Sequence, residues 1–230
     1  MYVANDGASP ISLAGATVYN LPFDLGLSAK RNYLVQNVPS QFRYLLFVDD
    51  DMVFTNSTDI DGLKAALESN PELGLASGQL MDYGTTPRPY EAMMQWEDGG
   101  RTLRLAPVVG AGPCDLTQNF FLARRNVFAD TGWRDELKLA EHVPFFMDLK
   151  ASGWGCLHST SSTIDHWPSA DDKYSVYRRR QNQFQIRWMD DAGLTKVIRP
   201  NGTEILRSRL EDPDYWPWGP LPGRDHFTEQ

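Results

Sequence analysis

Three consecutive carboxylates, Asp49, Asp50 and Asp51, directly follow the apolar run Tyr44–Val48. Five large apolar or aromatic residues in a row are typical of a strand buried on both faces, as at the centre of a parallel sheet. Ligands bind at the carboxyl ends of such strands, and adjacent acids there repel one another unless a cation neutralises them. Hard oxygen ligands favour Mg²⁺ or Mn²⁺. The alternative is an acidic turn in which an aspartate caps a helix.

Size and charge narrow the class of protein. The 230 residues suit one domain, residues 1–230, with a core at 1–190 and a Pro- and Trp-rich extension at 191–230. A net charge of -8 argues against nucleic acid as a partner, because phosphate binding requires concentrated Lys and Arg. No stretch has the length and apolarity of a membrane span, and the first ten residues do not resemble a signal peptide. Cys114 and Cys156 lack metal-site or CxxC spacing, and two free thiols are slightly favoured over a disulfide.

Strand and helix patterns alternate in the first third of the chain, which indicates an α/β layered fold with a mostly parallel sheet. A helix capped by Ser28 is expected to end near Asn37, before Pro39. The predicted elements, in order, are a strand at 2–4, a helix at 28–37, a strand at 44–49, a helix at 59–69 and a strand at 73–76.

The middle of the chain has a weaker pattern. Residues 79–104 are predicted as loops with a hairpin. The later predicted elements are a strand at 119–124, a short helix at 125–130, a helix at 141–152, a strand at 162–164, a final helix at 172–190 and irregular structure around 216–220.

Several ordered motifs between Val3 and Trp167 resemble the β-1,4-N-acetylgalactosaminyltransferases that build ganglioside and related glycans, members of the wider family 2 of GT-A glycosyltransferases. These motifs are the turn at 4–7, Leu21-Pro22-Phe23, residues 26–32, the strand into Asp49-Asp50-Asp51, residues 115–124, His142 with Phe145-Phe146 and Asp148, and Ile164-Asp165-His166. Their order and spacing together carry the resemblance. It implies a GT-A fold in which a Rossmann-like, mixed and mostly parallel sheet holds a UDP-sugar.

The resemblance implies a divalent metal, Mn²⁺ or Mg²⁺, that joins the donor diphosphate to a D-x-D motif and stabilises the leaving group as a Lewis acid. Asp51 is the first choice as metal ligand, and Asp49 faces the ribose or binds the metal through water. His166 completes the metal shell, and its imidazole favours Mn²⁺ over Mg²⁺. Asp165 is expected to orient the His166 ring.

Further residues are expected to contact the nucleotide sugar. Asp6 is expected to accept hydrogen bonds from the uracil or ribose, with a simple turn aspartate as the alternative. Arg31, rather than Lys30, is expected against the diphosphate. Asp115 and Asn119 are expected to hold sugar hydroxyls. Asp50 is counted with these contacts, unless it points away and caps the following turn.

An inverting transfer needs a general base for the acceptor hydroxyl, and the candidates are Glu141 and His142. Glu141 is favoured, with His142 as its neighbour or substitute; many family 2 enzymes have Asp where this chain has His142. The alternative for Glu141 is a first-turn glutamate stabilised by the helix dipole. Some tryptophans are candidates for stacking on sugar faces, although most tryptophans simply pack: Trp96, Trp133, Trp154 and Trp167.

The expected function is therefore metal-dependent inverting transfer of a hexose or N-acetylhexosamine from a UDP-sugar to a glycan hydroxyl. The chain is expected to lack the first βα unit of a GT-A domain, which motivates a second hypothesis: an inactive carbohydrate-binding or scaffold protein. A third, a nucleotidyl or phosphoryl transferase, is disfavoured because the sequence has no P-loop. The expected location is the cytoplasm, or the Golgi lumen if the chain is a fragment of an anchored enzyme.

Overall fold

The computed structural model describes residues 1–168, 178, 180–212 and 214–217. No helix among these residues is long and apolar enough to cross a bilayer. The elements are β1 (Tyr2–Asn5), β2 (Thr17–Asn20), α1 (Leu27–Asn37), β3 (Tyr44–Phe47), β4 (Met52–Val53), α2 (Ile60–Ser69), β5 (Leu73–Asp82), β6 (Thr86–Pro87), β7 (Ala92–Glu97), β8 (Thr102–Pro107), β9 (Gly112–Cys114), β10 (Phe121–Arg124), α3 (Val127–Asp130), α4 (His142–Ala151), β11 (Gly155–His166), α5 (Gln181–Asp191), β12 (Lys196–Ile198) and β13 (Glu204–Leu206).

The expected helices at 28–37, 59–69 and 141–152 are confirmed to within a residue or two, but two strands are much longer than the sequence indicates. β5 continues six residues past the predicted end at Ala76, and β11 begins seven residues before Ser162. The two strands pair with each other along most of their length, so backbone pairing rather than apolar content sets their limits. Of the expected helix at 172–190, α5 is observed, while 172–177 and 179 lie outside the described residues, as do 218–220.

The start of α1 differs from the expected cap. Ser28 is buried inside the first turn, and Gly26 is the residue that caps the helix. The orphan N–H of Gly26 donates to a carboxylate oxygen of Asp6 over 2.9 Å, from the turn after β1. A remote aspartate therefore does what a local serine is expected to do.

The central sheet has the strand order β3-β10-β5-β11-β4, with β6 and β9 paired to β5 and β11. β3, β5 and β11 run in one direction, but β10 is antiparallel to both β3 and β5. The expected mostly parallel sheet is thus mixed, with more antiparallel than parallel pairs among the described residues. The sheet is mixed because the chain between β5 and β10 forms a hairpin instead of a crossover helix. The chain therefore returns to the sheet in the opposite direction as β10. β3 lies at the end of this order and is only partly buried, not central as predicted.

A second sheet has the order β13-β12-β8-β7. Its β7–β8 hairpin confirms the hairpin expected within 79–104. β12 pairs in parallel with β8, and Val197 and Ile205 are buried in the same core as β8. The part of the 191–230 segment that forms β12 and β13 therefore packs as one body with the preceding residues.

Alternating side chains of the central sheet serve two apolar layers. Leu75 and Phe121 face a large core with α4, α5 and the second sheet. Ala76 and Leu122 face a smaller core with α2. This alternation is the period of two expected for strands covered on both faces.

The two cysteines lie directly opposite each other on β9 and β11, and both are free thiols. Both side chains are buried, and burial raises the pKa of Cys114 to about 12. The predicted pair of free thiols is confirmed, and these thiols are protonated at neutral pH.

Candidate active site

The three aspartates lie in the link from β3 to β4, which occupy opposite ends of the central sheet. The link therefore crosses the strand ends of the sheet. Asp49 belongs to a cluster around α1 and α4, and Asp51 belongs to a cluster at the end of β11. One short acidic sequence thus supplies carboxylates to two different neighbourhoods.

Arg31 lies between two carboxylates in the first cluster. Its guanidinium nitrogens are 2.9 Å from Asp49 and 2.8 Å from the buried Glu141, and Asn119 donates to the other Asp49 oxygen over 2.9 Å. Burial opposes ionisation of Asp49, but the charge of Arg31 and these hydrogen bonds outweigh it and leave the pKa of Asp49 below its ordinary value. The opposed carboxylates likewise outweigh burial at Arg31 and raise its pKa. The cluster is a charged, hydrogen-bonded frame at neutral pH.

This setting differs from the expected roles of Arg31 and Asn119. The sequence predicts Arg31 against a diphosphate, but the structure directs its guanidinium inwards, under the ring of Trp133 at 5.6 Å. Asn119 is predicted to hold sugar hydroxyls, but its amide holds Asp49. Trp133, a predicted sugar-stacking candidate, stacks instead on Phe145 in the core.

Removal of Arg31 should destabilise the fold strongly, because two carboxylates would lose their shared cation. We expect Arg31→Met to lower the free energy of unfolding by about 3–5 kcal/mol, as for other buried pairs that lose one partner. Urea denaturation measures this change. Arg104→Met, which breaks the exposed pair with Glu97, is the matched control and should leave the midpoint nearly unchanged. Equal midpoints for the two variants would contradict a structural role for Arg31.

His142 begins α4 beside this cluster. Its Nε2 lies 2.6 Å from the carbonyl oxygen of Thr117. A carbonyl only accepts, so Nε2 carries the hydrogen and the other ring nitrogen, Nδ1, has the lone pair in the neutral ring. Burial lowers the pKa of His142, although the charge of Glu141 opposes this effect. At neutral pH the ring is therefore neutral, and its basic nitrogen, Nδ1, has no hydrogen-bond partner among the residues that the structure describes.

A buried polar network lies behind the carbonyl that orients His142. The Thr117 hydroxyl donates to Ser77, and the Ser77 hydroxyl lies 3.3 Å from His158 Nδ1. Glu91 is 3.6 Å from the same ring nitrogen. Burial lowers the pKa of His158, which leaves this ring largely neutral as well. The network ties β5, β11 and Glu91, which precedes β7, to the residue that fixes the His142 ring.

The second cluster consists of Asp51, His166 and Asp82. His166 Nε2 is 3.2 Å from Asp51, and its Nδ1 is 2.6 Å from Asp82. The second oxygen of Asp51 is buried and has no hydrogen-bond partner among the described residues. Burial raises the pKa of Asp51, and His166 opposes that shift. Asp51 thus offers an unpartnered carboxylate oxygen, and His166 offers an imidazole that Asp82 holds in place. These two donors together fit a divalent cation.

The residue that orients His166 is Asp82, not the predicted Asp165. Asp165 and His166 are neighbours on β11, so their side chains point to opposite faces. Asp82 ends β5, directly opposite His166 in the parallel pairing. Among residues 1–168, 178, 180–212 and 214–217, no group of three or more His, Cys, Asp or Glu side chains is arranged to hold a metal. Any cation there would need further ligands from a substrate or water.

Asp6 holds the start of α1. Its two carboxylate oxygens lie 2.9 Å from the Gly26 N–H and 2.8 Å from Lys30. Gly26 has φ 99°, and a Cβ there would meet Lys138 at 2.7 Å, so this approach requires glycine. Nothing in these contacts tests the predicted binding of a nucleoside, which stays a prediction.

The other candidates lie apart from the two clusters. Asp50 is exposed. Asp115 accepts from the Met94 N–H at 2.8 Å and pairs with Lys150 at 2.6 Å, so its carboxylate joins β7 to α4; its predicted contact with a sugar stays a prediction. Trp154 is partly buried against the core and donates to Asp130 over 3.2 Å.

Comparison with known proteins shows which proteins this chain resembles. No family model matches the chain. It is 32% identical over 201 residues to human β-1,4 N-acetylgalactosaminyltransferase 1. The matched region covers 77% of this chain and 36% of that protein. It is 30% identical over 156 residues to mouse β-1,4 N-acetylgalactosaminyltransferase 2, covering 64% of the chain and 29% of the relative. The chain thus spans about a third of the length of these curated relatives.

Solved structures give the same fold at low identity. A crystal structure of GalNAc-T7 with UDP, GalNAc and Mn²⁺ superposes with a TM-score of 0.51 and 15% identity, over 71% of this chain and 36% of that one. S. aureus TarS 1-349 superposes with a TM-score of 0.51 and 13% identity, over 84% of this chain and 59% of that one. The chain has the GT-A fold of glycosyltransferases. The expected fold class and the resemblance to β-1,4-N-acetylgalactosaminyltransferases are confirmed.

Two residues near the site, Asp82 and Thr117, are not predicted from the sequence. Asp82 lies six residues beyond the predicted end of β5, and only the longer strand brings it opposite His166. Thr117 acts through its carbonyl oxygen, which carries no residue-type signal. In a GT-A domain, polar residues at the ends of neighbouring strands deserve inspection even where no motif marks them, and Asp82 fits that rule.

Proposed function

We propose that this chain contains the catalytic GT-A domain of a metal-dependent, inverting glycosyltransferase. It transfers a hexose or N-acetylhexosamine from a UDP-sugar to a hydroxyl of a glycan. One observation supports the proposal: a single aspartate triplet crosses the strand ends and joins the contacting pair Asp51 and His166 to the cluster beside His142. The residues that would hold the metal and the residues that would activate the acceptor therefore lie on two sides of one edge of the central sheet.

UDP-N-acetylgalactosamine is the first donor to test. The curated relatives are named as N-acetylgalactosaminyltransferases, and the GalNAc-T7 structure contains UDP, GalNAc and Mn²⁺. The chain covers only part of these proteins, so this donor is inferred from likeness. An acidic edge also needs a cation to accept a diphosphate, which agrees with a nucleotide-sugar donor.

Asp51 and His166 would hold the metal, and Asp82 would fix the ring of His166. The imidazole ligand favours Mn²⁺ over Mg²⁺, and the orphaned Asp51 oxygen is available to it. When bound, the metal would stabilise the negative charge of the departing diphosphate as a Lewis acid. Asp50 is exposed next to this pair, and no contact of its own is needed for the proposal.

We assign the general base to His142. The sequence favours Glu141, but that carboxylate is buried in the ion pair with Arg31, whereas His142 Nδ1 has a free lone pair. The acceptor oxygen attacks the anomeric carbon, the bond from that carbon to the UDP oxygen breaks, and the hydroxyl proton passes to Nδ1. The Thr117 carbonyl keeps Nε2 protonated and so holds the productive tautomer. Inversion follows from a single displacement that forms no covalent bond to the protein.

Loss of the Asp82 carboxylate should weaken the metal site without removing a metal ligand. We expect Asp82→Asn to lower Mn²⁺ affinity by about 10–100-fold, the usual effect of losing a carboxylate that orients a ligating histidine. Calorimetric titration of Mn²⁺ in the presence of UDP measures it. Asp165→Asn is the matched control, because Asp165 lies on the opposite face of β11. An equal loss in both variants would point to net charge instead of orientation.

Transfer itself is tested with UDP-N-acetylgalactosamine, Mn²⁺ and an array of glycan acceptors, with product mass as readout. The proposal predicts acceptors heavier by one N-acetylhexosamine, and no product with chelator. A folded chain that binds glycan in the presence of chelator but does not bind UDP would favour the inactive carbohydrate-binding alternative.

A further inference from the structure

Two large aromatic side chains remain exposed beside the proposed metal site. Tyr83 is 59% exposed and Trp167 is 50% exposed. Their ring centroids are 6.0 Å apart and their planes meet at 85°. We call this pair the aromatic corner. The two rings together form a small exposed apolar surface next to the proposed metal ligands.

The aromatic corner is attached to the two proposed metal ligands through the backbone. The Tyr83 N–H donates to the carbonyl of His166 over 2.9 Å, and the Trp167 N–H donates to the carbonyl of Asp51 over 2.8 Å. Each ring therefore has a fixed position relative to the cation-binding pair. A ligand that contacts the corner would lie next to the proposed diphosphate site.

Tyr83 occupies a backbone conformation that tyrosine rarely adopts. It has φ 53° and the following Gly84 has φ 70°, and the Thr85 N–H closes the turn onto Asp82. Positive φ at both central residues is the pattern of a type I′ turn, for which Asn-Gly is strongly preferred. A bulky residue at such a position is strained, and strain of this kind concentrates at ligand sites. The side chain of Tyr83 therefore has a use that the turn itself does not supply.

The chemistry around the corner selects the kind of ligand. The negative π-face of an aromatic ring attracts the slightly positive C–H groups on one face of a pyranose. The carboxylate oxygens of Asp165 are close by, one of which would lie 3.0 Å from a Cβ on Gly84, whereas the two Asp82 oxygens are engaged by His166 and Arg88. Such oxygens accept hydrogen bonds from sugar hydroxyls and repel an anionic group. The ring that fits is an uncharged pyranose.

Resting on the proposed function, we propose that the aromatic corner is the subsite for an uncharged pyranose of the acceptor glycan. The donor has one sugar, which its diphosphate confines near the metal. An acceptor chain continues away from the reaction centre, and the half-exposed corner faces solvent as such a chain requires. Tyr83 and Trp167 then contact the pyranose with their adjoining exposed surfaces and set acceptor affinity, not donor affinity.

Lactose is a suitable neutral probe, titrated by saturation-transfer NMR into the chain with Mn²⁺ and UDP present. We expect Trp167→Ala and Tyr83→Asn each to raise the Kd for lactose about 3–10-fold, with the Kd for UDP unchanged. Trp96→Ala is the matched control, because Trp96 is 46% exposed on β7 and should affect neither Kd. Tyr83→Asn should also raise Tm by roughly 2–4 °C, because it relieves the turn.

The outcomes separate this proposal from the proposed function. Failure of the wild-type chain to bind UDP with Mn²⁺ counts against the function, whatever lactose does. Normal UDP binding with no lactose binding, or with lactose binding equal in all variants, overturns the subsite. Weaker UDP binding in Trp167→Ala would show a nucleobase platform and would also overturn it. A Tm gain in Tyr83→Asn without loss of lactose affinity would leave the strain at Tyr83 without a ligand-binding role and would count against the corner.

Discussion

Asp51→Asn should lower metal-dependent turnover by at least about 10³-fold while the chain stays folded. The substitution keeps the size of the side chain but removes the negative charge of a carboxylate in which one oxygen has no hydrogen-bond partner among the described residues. A loss of this size corresponds to about 4 kcal/mol of transition-state stabilisation, which is typical of a lost electrostatic contact to a departing group. Initial rates of UDP release at saturating UDP-N-acetylgalactosamine measure it, and circular dichroism checks the fold.

The neighbouring carboxylate provides the control for this result. Asp50 is exposed and adjacent in sequence, so Asp50→Asn removes the same charge from the same triplet. It should retain most of the activity, with turnover within about tenfold of the wild type. If Asp50→Asn is as damaging as Asp51→Asn, the division of the triplet between two neighbourhoods is wrong.

His142→Gln should lower kcat by about 10²–10⁴-fold, the usual contribution of a general base. Glutamine keeps an N–H group for the Thr117 carbonyl but has no basic nitrogen in place of Nδ1. The KM for the donor should change little, because the metal side of the site is untouched. Steady-state kinetics with saturating acceptor separate kcat from KM.

The pH profile gives an independent check on His142. Burial lowers the pKa of this histidine, so the base should stay unprotonated to below the ordinary histidine value of about 6.5. The acid limb of kcat/KM should therefore lie below pH 6.5, and His142→Gln should flatten it. The same shift destabilises the fold in acid, since the unfolded chain binds the proton first as pH falls. An acid limb that persists unchanged in His142→Gln would exclude this base.

Glu141→Gln distinguishes the two candidates. Loss of the Glu141 charge leaves Arg31 with one carboxylate, so unfolding in urea should become easier. Activity per folded molecule should fall much less than in His142→Gln. If Glu141→Gln instead removes activity at full stability, the general base is Glu141, as the sequence favours.

Sequence reasoning predicts those features whose signal is local. The apolar run before Asp49 and the spacing of apolar residues in α2 and α4 follow from the periods of strands and helices. The contact between Asp51 and His166 was expected only from the family resemblance, because no local rule joins residues 115 positions apart. Their pairing is confirmed as a contact. Its role as a metal site stays a prediction.

The features that the sequence misses depend on long-range pairing. β3 lies at the sheet's end because β10 pairs between β3 and β5 after a hairpin, which the apolar run of β3 does not indicate. Asp82, not Asp165, orients His166 because β5 extends to meet the end of β11. Asp6, not Ser28, holds the start of α1 because the turn after β1 reaches the helix. In each case a local preference yields to a tertiary contact.

Isothermal titration of UDP into the chain, first with Mn²⁺ and then with chelator, is the best single test of the proposed metal site at Asp51 and His166. UDP should bind in the presence of Mn²⁺, its binding should be lost with chelator, and Asp51→Asn should abolish it. Asp50→Asn should bind UDP with nearly the affinity of the wild type. UDP binding that is equal with and without Mn²⁺, or absent from a folded chain under both conditions, would contradict the claim that Asp51 and His166 form the metal site of a nucleotide-sugar transferase.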